Sequence, residues 1–176
     1  ANRDNNWQYS FVNKRDRAER YSQKPTLILI TGEEGTGRKD IAKQLEKNLF
    51  DSGRVTFYMG MQNILLGVEA DIPRDSEKVE NHKEIMRRLG EVGNIMLHAG
   101  NLFIVTAIGI RNQDIEILKT TLNGAIETIW VGEDVTTDLT PDLHLDSFNN
   151  TNEAVNKIKD YLGIKGIIFN SWVYSI

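Results

Sequence analysis

The chain has no cysteine among its 176 residues, which excludes disulfides and thiolate metal sites and fits a reducing compartment such as the cytoplasm. It lacks a basic excess: 21 Lys and Arg stand against 25 Asp and Glu, leaving a net charge of −4. A general nucleic-acid binder needs a basic face, so nucleic acid is not an expected partner. No apolar run approaches the roughly 18–20 residues that cross a bilayer, and no signal peptide opens the sequence, so no membrane association is expected. There is no internal repeat and no low-complexity tract. The histidines, His82, His98 and His144, lie far apart and share no metal-ligand spacing. Each reads as a surface or internally satisfied residue, and no metal site is expected.

What is present is ordinary soluble-protein material, 40% hydrophobic and 26% charged, in a length that suits one domain with a sizeable core. Apolar β-rich runs occur at Thr26–Thr31, Val55–Met59, Leu102–Ile108 and Ile126–Val131, with a shorter one at Leu143–Leu145. Gly166–Ile176 carries a further apolar stretch. Helical stripes separate the runs: Ile41, Leu45 and Leu49; then Ile85, Leu89, Val92 and Met96; then Ile115, Leu118 and Leu122; then Ala154, Val155, Ile158 and Leu162. Asn150, with Glu153 three residues on, predicts the start of the last helix. Buried strands alternating with amphipathic helices predict an α/β fold: a three-layer parallel sheet of about five strands with helices on both faces. Residues 25–176 form the expected domain. Residues 1–24, polar and charged, read as a linker or an N-terminal arm. A chain that opens at Ala1 without methionine reads as a domain excised from something longer.

The most informative segment follows the first apolar run. Gly32-Glu33-Glu34-Gly35-Thr36-Gly37-Arg38-Lys39-Asp40 has the frame of a phosphate-binding P-loop, G-x-x-x-x-G-K-[ST], between a strand and a helix. Gly32 and Gly37 fall in place, with Gly35 between them. Arg38 stands where the lysine belongs and Lys39 where the magnesium-binding hydroxyl belongs. A planar guanidinium matches a compact ammonium site poorly, and a second cation cannot ligate a cation. Glu33 and Glu34 add negative charge at the mouth, and Asp40 suits the helix dipole while repelling phosphate. Gly32, Gly35, Thr36, Gly37, Arg38 and Lys39 are therefore the candidate nucleotide-binding residues, in a loop that reads more readily as a tight Gly-rich turn joining a buried strand to a helix.

Taken along its length, the chain resembles the adenylylsulfate kinases, and most of all the kinase domain at the C-terminus of bifunctional sulfate adenylyltransferase/adenylylsulfate kinase proteins. The resemblance runs from about Trp7 to Leu162. It rests on Trp7-Gln8-Tyr9-Ser10 and Asp16-Arg17-Ala18, on Ile41–Phe50, on Arg87-Arg88-Leu89-Gly90-Glu91-Val92 with His98-Ala99-Gly100, and on Val155–Leu162. These are mostly scaffold positions. It implies a P-loop NTPase-like fold, a place in sulfate activation, and ATP with Mg²⁺ as cofactors only if kinase activity is retained.

Against the family pattern, the chemistry is altered at nearly every motif. An Asp-Gly-Asp-Asn stretch and a following arginine are replaced by Met59-Gly60-Met61-Gln62 and Ile64, and methionine neither accepts a proton nor binds magnesium. His82 and Ile85 stand for an arginine and an asparagine. Ala107–Asn112 replaces an aromatic stretch that stacks the adenine, leaving Arg111 as a charge. Only Gly132–Thr140 remains where the family has a long basic lid. No catalytic residue is assigned. The expectation is a catalytically degenerate domain acting as a structural or regulatory appendage, partnered by a sulfate adenylyltransferase portion of a longer chain or by copies of itself. The alternative is an active adenylylsulfate kinase, with Arg38 or Lys39 on phosphate and Asp71 or Asp75 recruited for magnesium. The added tail, with Trp172, Val173 and Tyr174, is expected to pack as an edge strand or against a partner.

Overall fold

The computed structural model describes residues 10–61 and 78–170, without the side chains of residues 78–80. Gln62, Ile64, Asp71, Asp75, Trp172, Val173 and Tyr174, and the lead-in at Trp7–Tyr9, lie outside the described residues. In chain order the elements are α1 (Lys14–Tyr21), β1 (Thr26–Gly32), α2 (Arg38–Asp51), β2 (Thr56–Gly60), α3 (Lys78–His98), β3 (Leu102–Ala107), α4 (Asn112–Leu122), β4 (Ile126–Val131), β5 (Leu143–Leu145) and α5 (Thr151–Ile164). The strands form one five-stranded sheet in the order β2-β3-β1-β4-β5, every pair parallel. The expected α/β sheet with helices on both faces is what the chain forms.

The alternation of β1 explains the layers. Leu27 and Leu29 point to one face, where they join Phe103 and Val105 beneath α3 (Met86, Leu89, Leu97) and α4 (Ile115, Leu118, Leu122). Ile28 and Ile30 point to the other, with Ile104 and Ile129 beneath α2 (Ile41, Leu45, Leu49) and α5 (Ala154, Val155, Ile158, Leu162). All four β1 side chains are fully buried. Each contributes roughly 1.5–3 kcal/mol by leaving water, so β1 anchors both cores.

Helix ends obey local chemistry. Asn150 Oδ1 accepts the Glu153 N–H at 2.9 Å, while the Glu153 carboxylate accepts from Asn149, one residue earlier than a reciprocal cap would have it. Residues 10–24, expected as linker or arm, carry α1, whose start is held by Asn13 Oδ1 accepting the Asp16 N–H and Asp16 accepting the Asn13 N–H, both at 2.9 Å. This helix lies over Gly100: a Cβ there would sit 2.8 Å from the Tyr21 ring. Its arginines therefore sit at the amino edge of the sheet, opposite the glycine loop.

The same edge receives the chain after α5. Lys24 N–H donates to Ile167 O at 2.7 Å, Phe169 N–H to Ser22 O at 3.1 Å, and Ile168 makes a single antiparallel bridge with Gln23. Arg54 donates to both Ser22 O and Phe169 O. Within the described residues this stretch is a bridge and not a strand, and Ile167 belongs to the α2/α5 core.

Candidate functional site

The glycine loop leaves the carboxyl end of β1, the central strand, and turns into α2. Gly32 has φ +151°, and a Cβ on it would sit 2.3 Å from Val131 O, so glycine is required where β1 passes β4. Gly37 is the N-cap of α2 with φ +82° and no side-chain cap, which leaves the first-turn N–H donors uncapped. The Glu33 carbonyl accepts from Thr36 Oγ1 at 2.9 Å and from Arg38 Nη1 at 3.1 Å, closing the loop on itself. Glu34, Gly35, Gly37, Arg38, Lys39, Asp40 and Lys43 line an open depression.

Arg38 is 8% exposed and spends one guanidinium donor on the loop backbone, while its Nε has no partner among the described residues. Thr31 Oγ1 and Trp130 Nε1, on residues paired across β1 and β4, are also buried without a partner among the described residues. Polar atoms left unpaired out of water cost about 1–3 kcal/mol each, and their gathering near the carboxyl end of β1 marks it as a polar site. Uncapped N–H groups and the spare Arg38 donor suit an oxyanion. Position 39 offers an ammonium where a hydroxyl oxygen would ligate magnesium, and among the described residues no three His, Asp or Glu side chains gather to hold a metal.

The positions that carry carboxylates in the family pattern are partly buried here. Met59 and Met61 pack against the α3/α4 cluster, and Tyr58 OH pairs with Thr106 Oγ1 at 2.9 Å beside them. Glu46, on α2, accepts the Tyr58 N–H and pins β2 to that helix.

The short β4–β5 connection is a strap fastened at several points. Thr137 Oγ1 donates to Ile110 O at 2.7 Å, and Asn112 N–H and Nδ2 both donate to Asp138. Leu139 is buried beneath it, 5% exposed. Thr136 Oγ1 donates to the Glu33 carboxylate, so the glutamate expected as free negative charge at the loop mouth is engaged by the strap.

One pairing escaped sequence reasoning. His82 Nε2, on the first turns of α3, lies 2.8 Å from Asp114 Oδ1 on α4. Asp114 is buried, and its other oxygen accepts the Arg111 N–H at 2.9 Å. The aspartate three residues after Arg111 was a visible helix-start signal; its second partner, 32 residues away, was not. His98 and His144 bond backbone carbonyls of Asn94 and Gly132. No helix of the described residues is long and apolar enough to cross a membrane.

Comparison with known proteins gives the chain its family. The adenylylsulphate kinase family model matches residues 24–164. The chain belongs to that family. It is 37% identical over 101 residues to an adenylyl-sulfate kinase of Aeromonas hydrophila, covering 57% of this chain and 49% of that protein. It is also 37% identical over 103 residues to the bifunctional enzyme NodQ of a Rhizobium strain, covering 58% of this chain and 15% of that one. Against both, the chain spans about half or less of the relative's length. The structure of the Mycobacterium tuberculosis APS kinase CysC in complex with AMPPNP and APS superposes with a TM-score of 0.67 at 18% identity, covering 80% of this chain and 99% of that one. At that identity the likeness is one of fold, and it is the P-loop kinase fold whose first loop is Gly32–Gly37.

Proposed function

We propose that this adenylylsulphate-kinase-like domain does not transfer phosphate and serves as a structural or regulatory part of a sulfate-activating protein. The carrying observation is Arg38. The residue in the lysine position is buried and donates to the loop's own Glu33 carbonyl, so it is engaged in holding the loop. Met59 and Met61, partly buried against the α3/α4 core, supply neither base nor metal ligand. The glycine loop, Gly32 to Lys39, keeps a weak contact for the oxyanions of a nucleotide. A sulfate adenylyltransferase portion or further copies of the chain are the proposed partners, in the cytoplasm. Support comes from the bifunctional NodQ relative and from a fold neighbour described as a hexameric APS kinase of Thiobacillus denitrificans, with a TM-score of 0.64 at 18% identity.

The His82–Asp114 pair favours a second reading, an active adenylylsulfate kinase. Helix α3 runs back to the start of β3, which puts its first turns at the carboxyl edge of the sheet together with the start of α4. An imidazole held there by a buried carboxylate is a proton acceptor where Met59 and Met61 are not. In that reaction the 3′-hydroxyl oxygen of adenylylsulfate bonds to the γ-phosphorus of ATP. The bond to the β-phosphate oxygen breaks, ADP leaves, and the hydroxyl proton passes to His82 Nδ1. A coupled assay for ADP and 3′-phosphoadenylylsulfate decides between the readings. Turnover that His82→Gln abolishes supports the second; no turnover above background with Mg²⁺, ATP and adenylylsulfate supports the first.

A further inference from the structure

Away from the glycine loop, the chain carries an exposed knob and an open groove of matching chemistry. The knob precedes α1. Phe11 is wholly exposed and Val12 is 47% exposed, so two apolar side chains stand in water side by side. Lys14 follows on the first turn of α1, where burial lowers its pKa below 10.5 and it makes no ion pair among the described residues. The groove opens beyond β5, an edge strand that pairs only with β4 among the described residues. Leu143 lines one side of it; the stripe Lys157, Asp160, Tyr161 and Ile164, on one face of α5, lines the other. Its volume is about 310 Å³. Ile164 is 85% exposed there, and Asp146 and Asp160 line it without an ion pair among the described residues. Lys157 is engaged elsewhere, 3.4 Å from Glu153 and donating to Ser147 O at 2.8 Å. Lys165, 6.0 Å over the Tyr161 ring, leaves two carboxylates facing one spare ammonium.

We propose that this groove receives the Phe11–Val12 knob of a second copy of the chain, with that copy's Lys14 brought towards Asp146 and Asp160. Phe11, wholly exposed, does not fill the groove of its own chain. Both complementary surfaces belong to this sequence, and their charges are opposite. Lys14, which already bears the cost of burial, gains the carboxylate it lacks. An aromatic ring set among aliphatic side chains inside a charged rim has the make-up of an interface anchor. Knob and groove are different patches of the surface. The contact is therefore made twice where a two-fold axis relates the copies, and otherwise runs head to tail from one copy to the next. The interface rests on the reading above that further copies of the chain are among its partners.

The test is sedimentation of the full chain, of Phe11→Ser and of Ile164→Asp, from micromolar to millimolar concentration in physiological salt. The wild-type chain is expected to associate, and each variant to do so at least about tenfold more weakly. The two variants mixed should associate more tightly than either alone, because one brings an intact groove and the other an intact knob. No association by the wild-type chain, association that survives either substitution, or a mixture no tighter than its components overturns the interface. Hydrogen exchange on the wild-type chain, dilute against concentrated, gives an arm independent of the variants' folding. Amides of residues 10–14 and 143–146 are expected to exchange more slowly in the concentrated sample; slowing confined to other segments, or none, overturns the interface. Turnover by the wild-type chain would end the non-catalytic reading while leaving the interface standing. Association through other residues, without turnover, would end the interface alone.

Discussion

His82 Nε2 and Asp114 Oδ1 lie 2.8 Å apart, joining the start of α3 to the start of α4 on the sheet face those two helices share. Because Asp114 is buried and also caps Arg111 N–H, its removal leaves two groups without their partner. Asp114→Ala is expected to destabilise the fold by about 2–3 kcal/mol, and Asp114→Asn, which keeps an acceptor, by about 1 kcal/mol. Urea unfolding of both variants checks this; equal losses would mean that the charge and not the acceptor matters.

The loop glycines separate steric need from backbone preference. Gly32→Ala drives a methyl into Val131 O, whereas Gly35, at φ +79°, has open space around the added carbon. Gly32→Ala is expected to cost about 3 kcal/mol or more, and Gly35→Ala about 1–2 kcal/mol from the left-handed conformation alone. Thermal melting of the two variants side by side reads the difference.

Acid sensitivity should reside in part on α3. Hydrogen bonds from Arg87 first and Arg88 second, with their charges adding, hold the Glu84 carboxyl at about 2. A folded value below the ordinary 4.5 means that this stabilisation is present above 4.5 and is lost as pH falls from there towards about 2. Glu84→Gln is expected to flatten the melting temperature across that window. Tyr161 behaves oppositely: burial first, and the hydrogen bond to Glu127 second, push its phenol above the ordinary 10. That contribution is present below about 10 and lost as pH rises further, and Tyr161→Phe should remove it.

Polyphosphate affinity should follow the loop's side chains. ATP·Mg²⁺ is expected to bind the wild-type chain no tighter than roughly 0.1–1 mM, or about −5.5 to −4.1 kcal/mol. Arg38→Lys with Lys39→Ser restores the ammonium and the hydroxyl and should tighten binding. No turnover should appear, because Met59 and Met61 still carry no carboxylate. A low-micromolar wild-type constant in physiological salt would contradict this.

Removing the end of the chain tests the amino edge. Truncation after Gly163 takes away buried Ile167 and the backbone bonds to Lys24 and Ser22. A loss of about 2–5 kcal/mol in the isolated domain is expected, comparable to emptying a core site. If instead the domain keeps its stability while its association changes, the segment serves an interface and not the core.

What could be read along the chain was whatever repeats within a few residues. The runs Thr26–Thr31 and Leu102–Ile108 announced strands buried on both faces, and the stripes Ile115–Leu118–Leu122 and Ala154–Leu162 announced helices, because period and burial are written locally. The Gly32–Gly37 turn was equally legible, since its spacing follows from the φ values the backbone needs. The small helix α1 was overlooked although Asn13 and Asp16 marked its start; its charged sequence hid a packing role that Gly100 reveals. The strand order β2-β3-β1-β4-β5 decided the rest. Setting β4 beside β1 brought Thr136 to Glu33 across 103 residues, and folding α3 and α4 onto one face brought His82 to Asp114. The loop's closure on itself through Arg38 is likewise a matter of burial in three dimensions. A residue's type records what it could bond to, but only the fold decides which partner comes within 3 Å, because side-chain bonds depend on distance in space and not on separation along the chain.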